Sequence, residues 1–298
     1  MAEPQHDAHP LSRRDFIKLM ATGVGGALIA SCNGRDSNLS PIQAVSTQQA
    51  LAPEGQRIMD HLPPFILSGL ARIEIKSLSY APQTKIGTGQ VYLETPTHLV
   101  LVMAEHIGKG MAWHSVDVSF PFGFQTRNIH IDARIDAPNG PKPTDRDWWI
   151  RDITPYSDVE NGILHPIRAI VIRKPAECTQ FVIRPEYGIL EPDPKSPTKG
   201  DKLYCGGFPG DTRGQLVFTE LIFKRDVPVP EFGSEFYYHE YRGAAAPGMS
   251  GAAIVTSSGT CVSIFSRGSN DASERLVYGI PFAKYNPLQN ILSMLQKS

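Results

Sequence analysis

A serine flanked by glycines is the residue of this chain best suited to nucleophilic chemistry. Ser250 lies between Gly248 and Gly251, and the apolar run 252–255 follows it. A serine hydroxyl attacks a carbonyl only when a base takes its proton and backbone N–H groups stabilise the oxyanion that forms. Glycine allows the tight turn that aims such N–H groups inward, although glycine and serine are also ordinary turn formers. We therefore predict a nucleophile loop at Ser250.

A histidine suited to act as the base follows a predicted β-hairpin far upstream. Residues 87–93 and 99–103 are two β-rich runs, and the Thr-Pro-Thr turn at 95–97 joins them. Such a pattern predicts a hairpin. His106 comes just after the second run, beside Glu105, so it is expected at the rim of a sheet, where it would face a cleft.

Together these segments resemble the trypsin-like (chymotrypsin-fold) serine proteases. The resemblance begins at residues 87–89 and 104–106 and continues at the serine motif, 247–252. Further similar segments are the glycine-rich 202–211, the strand 260–268 and the last strand 277–281. The order histidine, aspartate, serine is that of chymotrypsin. The resemblance spans residues 66–297 and implies an all-β fold of two antiparallel six-stranded β-barrels with a short C-terminal helix.

The resemblance also implies roles for the candidate catalytic residues. Ser250 is the expected nucleophile, His106 the general base, and the N–H groups of Gly248 and Ser250 the oxyanion hole. Asp147 is the expected orienting acid, because it precedes a Trp-Trp-Ile run as the family's acid precedes an apolar strand. Two alternatives for the acid stay open, Asp152 and Asp158. The expected reaction is peptide-bond hydrolysis by a serine endopeptidase through an acyl-enzyme, with no cofactor and no metal ion.

The substrate pocket is expected beside the nucleophile. Trypsin-like enzymes that cleave after Lys or Arg carry an aspartate six residues before the serine, and this chain has Ala244 there. By resemblance, the pocket walls are Ser266, Arg267 and Gly268. Small or apolar substrate side chains are therefore expected, and the positive charge of Arg267 makes an acidic side chain an alternative.

The N-terminal sequence predicts export by the twin-arginine route. Residues 12–18, Ser-Arg-Arg-Asp-Phe-Ile-Lys, match the twin-arginine signature with Ile in place of Leu. The apolar stretch 19–31 is shorter than the about 20 residues that a membrane-spanning helix needs, so it is typical of a signal peptide. Residues 29–32 resemble a bacterial lipobox, and Cys32 is the expected lipidation site. We predict a periplasmic or cell-envelope protein held by lipid rather than by a transmembrane helix.

The chain divides into three predicted parts. Residues 1–32 form the twin-arginine signal peptide with its lipobox, and the polar residues 33–58 form a flexible tether. The remaining residues, 59–298, form the peptidase domain, which is long enough for two barrels. Its expected parts are a first barrel at about 66–160, a second barrel at about 161–285 and a C-terminal helix at 286–297.

The net charge limits the classes of binding partner, and the cysteine content limits the possible disulfides and metal sites. The chain has 29 Lys and Arg against 30 Asp and Glu, a net charge of −1, so nothing favours nucleic acid, and protein or peptide substrates are expected. With Cys32 acylated, three cysteines remain, which permits at most one disulfide. Cys178 and Cys205 are the pair to test, with Cys261 as the third thiol. No Cys-x-x-Cys or His-x-x-x-His spacing suggests a zinc site.

Two other classes of protein share parts of this pattern. A catalytically silent trypsin-like binding module on the bacterial envelope would keep the same fold, and the open choice of acid favours it. An α/β-hydrolase needs Gly-x-Ser-x-Gly and a histidine after the serine. Position 252 is an alanine and the last histidine is His239, so the sequence argues against the α/β-hydrolase fold.

Export and lipidation can be tested separately in cells. Changing Arg13 and Arg14 together to Lys is expected to leave uncleaved precursor in the cytoplasm, because the arginine pair is the export signal. Changing Cys32 to Ser is expected to release the exported protein from membranes, since no acyl chain can then be attached. Fractionation and immunoblotting measure both. Normal export of the double-lysine variant, or membrane retention of Cys32→Ser, would contradict the respective prediction.

Overall fold

The folded part of the chain is described by a computed structural model. The described residues are 53–77, 83–109, 111–136, 138–153, 157–158, 163–164, 166–178, 182–184, 190–210, 215–229, 236–269, 275–285 and 291. The predicted signal peptide, Cys32 and the tether up to residue 52 lie outside them. The predicted C-terminal helix does so too, apart from Ile291, which is helical and buried.

The described chain is almost entirely β-structure. Its two helices come first, α1 (Pro53–His61) and α2 (Pro64–Ser68). The strands that form the first half are β1 (Leu70–Ser77), β2 (Thr84–Glu94), β3 (His98–Ala104), β4 (Trp113–Ser119), β5 (Asn128–Asp132), β6 (Trp149–Ile153), β7 (Ser157–Asp158), β8 (Ile163–Leu164) and β9 (Ile167–Arg173). Those of the second half are β10 (Lys202–Gly207), β11 (Val217–Pro228), β12 (Tyr237–Arg242), β13 (Ala253–Val255), β14 (Cys261–Gly268) and β15 (Leu276–Pro281).

Two antiparallel barrels result from the strand pairing. The first is a seven-stranded sheet in the order β5-β4-β1-β2-β3-β9-β6, and its edge strands β5 and β6 approach each other, so it is nearly closed. The second is a closed barrel in the order β10-β11-β12-β15-β14-β13. The short strands β7 and β8 pair separately as a hairpin. The expected all-β, two-barrel, chymotrypsin-like fold is confirmed, with seven strands rather than six in the first barrel.

Each barrel closes around its own hydrophobic core. Residues of β1 alternate between buried and partly exposed from Ala71 onward, while β3 is buried along its whole length, as expected for strands at different depths in a sheet. The first core includes Ile73, Leu101 and Ile172, and the second includes Leu221 and Phe265. Because the cores are separate, the two barrels meet along a seam, which is where a cleft can open.

The two helices cover one side of this arrangement. α1 packs against β11 and buries Ile58, so residues 53–58, predicted as part of the tether, belong instead to the folded domain. α2 is held to the first barrel by a hydrogen bond from Gln90 Nε2 to the Ile66 carbonyl, 3.0 Å. Within the described chain, no helix has both the length and the apolar character needed to cross a membrane.

The structure corrects two further expectations. β9 (Ile167–Arg173) belongs to the first sheet, where it pairs with β3, so the first barrel continues to residue 173 and does not end near 160. The second barrel accordingly begins at Lys202 and not near 161. Cys178 and Cys205 do not form a disulfide, and Cys261 is also a free thiol. Cys205 is fully buried in the second core, and that burial raises the pKa of its thiol to about 12.

Candidate active site

A large cleft lies along the seam between the two barrels. Its volume is about 1010 Å³, and both Ser250 and His106 line it. His106 comes from the turn after β3 of the first barrel, and Ser250 from the loop before β13 of the second. The structure therefore brings together the predicted nucleophile and the predicted base, which are far apart in the sequence.

The nucleophile loop is attached to the first barrel by one buried residue, Thr88 of β2. The Thr88 N–H donates to the Ser250 carbonyl (2.9 Å), and its Oγ1 donates to the Gly248 carbonyl (2.9 Å). The same Oγ1 accepts a hydrogen bond from the Phe208 N–H (2.9 Å). Thr88 is completely buried, so these bonds form out of contact with water. They fix the backbone on both sides of Met249.

Glycine is required at two positions of this loop. Gly248 and Gly251 have φ angles of +96° and +94°, a region that other residues rarely adopt. A Cβ on Gly251 would lie 1.9 Å from the Thr88 carbonyl oxygen, and one on Gly248 would lie 2.4 Å from the Gly210 nitrogen. Both contacts are with backbone, which cannot move aside. The glycines let the loop turn sharply and lie directly against its neighbours.

The predicted oxyanion donors are free to act. The Pro247 carbonyl accepts a hydrogen bond from the Gly210 N–H (2.7 Å), and the Met249 carbonyl accepts one from the Ala252 N–H (3.1 Å). Because the C=O and N–H of a trans peptide point in opposite directions, the N–H groups of Gly248 and Ser250 point away from the Gly210 and Ala252 donors that hold these carbonyls. Among the described residues, neither N–H has a hydrogen-bond acceptor. This is the arrangement that an oxyanion hole needs.

The Ser250 hydroxyl has a partner other than the histidine. Its Oγ donates to the Ser266 carbonyl on β14, 2.8 Å away. Within the described part of the chain, no hydrogen bond joins Ser250 to His106. The hydroxyl must give up this hydrogen bond before a base can take its proton.

His106 is positioned by a buried arginine that the sequence analysis missed. Arg168 of β9 is 1% exposed, and its guanidinium donates to the carbonyls of Ile107 and Glu105, both at 2.9 Å. The guanidinium also lies over the Trp113 ring, 5.2 Å from its centroid. These contacts hold the turn on both sides of His106. A charged residue inside an otherwise apolar strand is the sequence signal that would have pointed to it.

The surroundings of His106 favour its neutral form. Loss of solvent around the ring lowers its pKa below the ordinary value, even though part of the side chain is exposed to the cleft. The negative charge of Glu105 acts in the opposite direction, while Arg168, Lys109 and Lys85 lower the pKa further. A neutral imidazole is the form that can accept a proton from a serine.

Asp147 lies far from this histidine. β6 follows Asp147, and its first residue, Trp149, pairs with Arg173, which in turn pairs with His98 at the start of β3. His106 follows the other end of β3, about 20 Å away at roughly 3.3 Å per residue. The Asp147 carboxylate instead accepts hydrogen bonds from the Thr144 hydroxyl (2.7 Å) and N–H (2.9 Å), which lower its pKa. The structure therefore does not bring Asp147 to His106.

The strand beside the histidine strand is β9, and no acid directly precedes it. The residue before β9 is Pro166, which lines the cleft and whose carbonyl accepts the Glu105 N–H at 3.0 Å. Asp152 is on the edge strand β6, opposite Val171 of β9. Asp158 lies in the β7–β8 hairpin, opposite Ile163, just before Pro166 in the chain. Of the three candidate acids, Asp158 is on the segment that leads to the His106 end.

The expected pocket residues lie together in the cleft. Ala244, Ser266, Arg267 and Gly268 all line it. Gly268 and Ala245 face each other closely, since a Cβ on the glycine would lie 3.2 Å from that of the alanine. A further basic residue, Arg275, lines the same cleft and was not expected from the sequence. In the described ranges, no group of three or more His, Cys, Asp or Glu residues is placed to hold a metal ion.

Comparison with known proteins yields likenesses in structure only. No protein-family model and no curated protein sequence matches the chain. Rv3671c protease from M. tuberculosis in its active form has a TM-score of 0.48 at 12% identity, over 77% of this chain and 84% of that one. Its inactive form gives 0.48 at 13%, over 78% and 94%. A serine endoprotease from Yersinia pestis gives 0.48 at 12%, over 78% of this chain and 65% of that one. The fold assignment rests on the strand pairing of this chain itself.

The role of Thr88 can be tested with two variants. Thr88→Val keeps the shape of the side chain but removes the hydroxyl, which leaves the buried Phe208 N–H and Gly248 carbonyl without this partner. We expect the labelling rate of Ser250 by a fluorophosphonate probe to fall by about tenfold or more, in line with the 1–3 kcal/mol cost of unsatisfied buried groups. Thr88→Ser is the matched control and should retain most of the rate. Equal rates for the Val and Ser variants would contradict the assigned role.

Proposed function

We propose that this protein is a serine endopeptidase that acts through Ser250. The observation that carries the proposal is the loop around that serine: an accessible hydroxyl in a cleft, with two backbone N–H groups beside it that lack acceptors. Such N–H groups stabilise the tetrahedral oxyanion, which is often the largest single contribution to catalysis of acyl transfer. The peptide substrate would bind in the cleft between the barrels, which has a volume of about 1010 Å³.

His106 acts in this proposal as the general base. It takes the proton of the Ser250 hydroxyl as Oγ attacks the scissile carbonyl and forms the acyl-enzyme, and it then donates that proton to the leaving amine. In the second half of the reaction it takes a proton from the attacking water, and the acyl-enzyme is hydrolysed. Support comes from its place in the same cleft and from surroundings that keep the imidazole neutral.

The proposal assigns the orienting carboxylate to Asp158 in place of Asp147. A carboxylate that accepts a hydrogen bond from the imidazole fixes its tautomer and stabilises the imidazolium that forms. Asp158 is favoured by the backbone, because the β7–β8 hairpin leads directly to Pro166, whose carbonyl is bonded to the residue before His106. Asp147 lies at the other end of the strands and its carboxylate is engaged by Thr144.

Export and lipid anchoring belong to the same proposal. The twin-arginine segment 12–18 and Cys32 support an enzyme carried folded across the cytoplasmic membrane and held at the cell envelope. All of these residues lie outside the described part of the chain, so the support is from the sequence alone.

A binding module without catalysis is the second candidate. Two observations favour it: the Ser250 hydroxyl donates to the Ser266 carbonyl and not to a base, and the described contacts of His106 include no hydrogen bond from its ring to a carboxylate. Such a protein would hold a peptide in the cleft without cutting it. It would bind peptides equally well with Ser250 or alanine at that position, and it would not react with a fluorophosphonate.

Four variants distinguish these possibilities by the rate of peptide hydrolysis. Ser250→Ala and His106→Ala are each expected to lose nearly all activity, on the order of 10⁶-fold in kcat, because nucleophile and base act as a unit. Asp158→Asn should cost less, roughly 10⁴-fold, since it removes only the orienting group. Asp147→Asn is the matched control and should change the rate little. Unchanged activity in Ser250→Ala would reject the proposal, and full activity in Asp158→Asn would reject only the assigned acid.

The pH dependence tests His106 through its charged neighbours. Only the neutral imidazole accepts a proton, so activity is expected to fall as the pH drops through the pKa of His106. Glu105→Gln removes a charge that raises this pKa and should move the acid limb to lower pH. Lys109→Gln removes a charge that lowers it and should move the limb to higher pH. Measurement of kcat/KM from pH 4 to pH 9 gives both midpoints, and shifts of the same sign in the two variants would contradict the assignment.

A further inference from the structure

One end of the cleft carries two positive charges that form no ion pair with any described residue. Arg267 and Arg275 both line the cleft next to the nucleophile, and neither forms an ion pair with a described residue. The only carboxylate of the described lining is Glu105, and it is already paired with Lys109, 2.8 Å from its Oε1 to the lysine Nζ. The described lining therefore carries more positive than negative charge, although the chain as a whole has a net charge of −1.

Arg267 is held in place before any substrate arrives. Its guanidinium lies over the rings of Tyr238 and Tyr278, 5.3 and 5.5 Å from their centroids. Stacking on two aromatic faces fixes the plane of the guanidinium and leaves its N–H groups directed outward at the edge. Arg267 also follows Ser266, whose carbonyl accepts the Ser250 hydroxyl, so the charge is one residue from the nucleophile's own partner.

Arg275 closes the same end of the cleft in a constrained conformation. Its φ is +48°, a left-handed value that costs a non-glycine residue about 1 kcal/mol or more and is common where a ligand is held. The Arg275 carbonyl accepts the Gly243 N–H (2.9 Å), which ties it to the loop that leads to Ala244. The wall opposite is made of small residues, Ala244 and Ala245, which contribute no charge. A substrate side chain that enters here meets two cations and no anion of the described lining.

We propose that this end of the cleft selects an acidic substrate residue, Glu or Asp, on the amino side of the cleaved bond. The inference rests on the proposed function, because it names the substrate of the same cleft. A carboxylate would accept charge-assisted hydrogen bonds from the edge of the Arg267 guanidinium and from Arg275. The same two charges would repel a Lys or Arg side chain, so the preference is opposite to that of trypsin.

The decisive experiment compares peptides that differ only in that residue. We expect kcat/KM for a Glu peptide to exceed that for the matched Gln peptide by about tenfold or more, as for hydrogen bonds to a charged group, and the ratio to fall with added salt. Arg267→Gln and Arg275→Gln should each reduce the Glu/Gln ratio, because each lowers kcat/KM for the Glu peptide more than for the Gln peptide. Arg267→Glu should favour a Lys peptide. Arg242→Gln removes an exposed charge at the end of β12 outside the cleft lining and should leave the ratio unchanged.

Labelling of Ser250 by a fluorophosphonate separates failure of this inference from failure of the proposed function. If Ser250 is labelled and the Glu/Gln ratio is one or less, the acidic preference is wrong and the hydrolase stands. If neither labelling nor cleavage occurs, the hydrolase is wrong, and fluorescence anisotropy with the same labelled peptides tests the pocket alone. Tighter binding of the Glu peptide that is lost in Arg267→Gln would then support the inference, and equal binding of Glu and Gln peptides would overturn it.

Discussion

The geometry of the candidate active site depends on the close contact between Thr88 and the nucleophile loop. One threonine of the first barrel, through its N–H and hydroxyl, holds the carbonyls of Gly248 and Ser250 in the second. The contact is so tight that a side chain on Gly251 would fall within 1.9 Å of the Thr88 carbonyl oxygen. The two barrels have separate cores, so hydrophobic packing alone would leave their relative position at the cleft poorly fixed. Buried backbone hydrogen bonds fix it, because leaving them unmade is costly.

Buried charge provides a second constraint, on the histidine side. The Arg168 guanidinium donates to the carbonyls of Glu105 and Ile107 and lies over the Trp113 ring. These contacts fix the shape of the turn. The guanidinium also places a positive charge near His106, which lowers the pKa of the imidazole. The residue that holds the turn thus adds to the effect of burial, which is the main cause of the lowered pKa of His106. Three further basic residues, Lys109, Arg267 and Arg275, line the cleft itself.

The position of Asp147 shows that strand order and register determine which carboxylate can lie beside His106. The sequence favours Asp147 as the acid, because the apolar Trp-Trp-Ile run follows it and forms the start of β6. His106 follows β3, however, and β3 pairs with β9 and not with β6. β6 lies beyond β9 and runs parallel to β3. Since β6 begins beside the start of β3, the residue before it is at the opposite end from His106. Sequence spacing alone cannot distinguish two apolar strands that follow the same loop.

Local patterns in the sequence determined much of this protein. Alternating and apolar runs identified β1, the β2–β3 hairpin and the strands around Ser250, because a strand's side-chain period is set by its own backbone. The glycines at 248 and 251 marked the nucleophile loop, since their conformation is a local property. Only the tertiary structure decided that Thr88 holds the loop of Ser250 and that Arg168 holds the turn of His106. It also decided that Arg275 lines the same cleft as Arg267 and that Asp147 is far from His106. These features depend on strand order and register, which arise from contacts between residues distant in the chain. A local pattern, such as the charge of Arg168 within an apolar strand, marks a residue but does not say what it contacts.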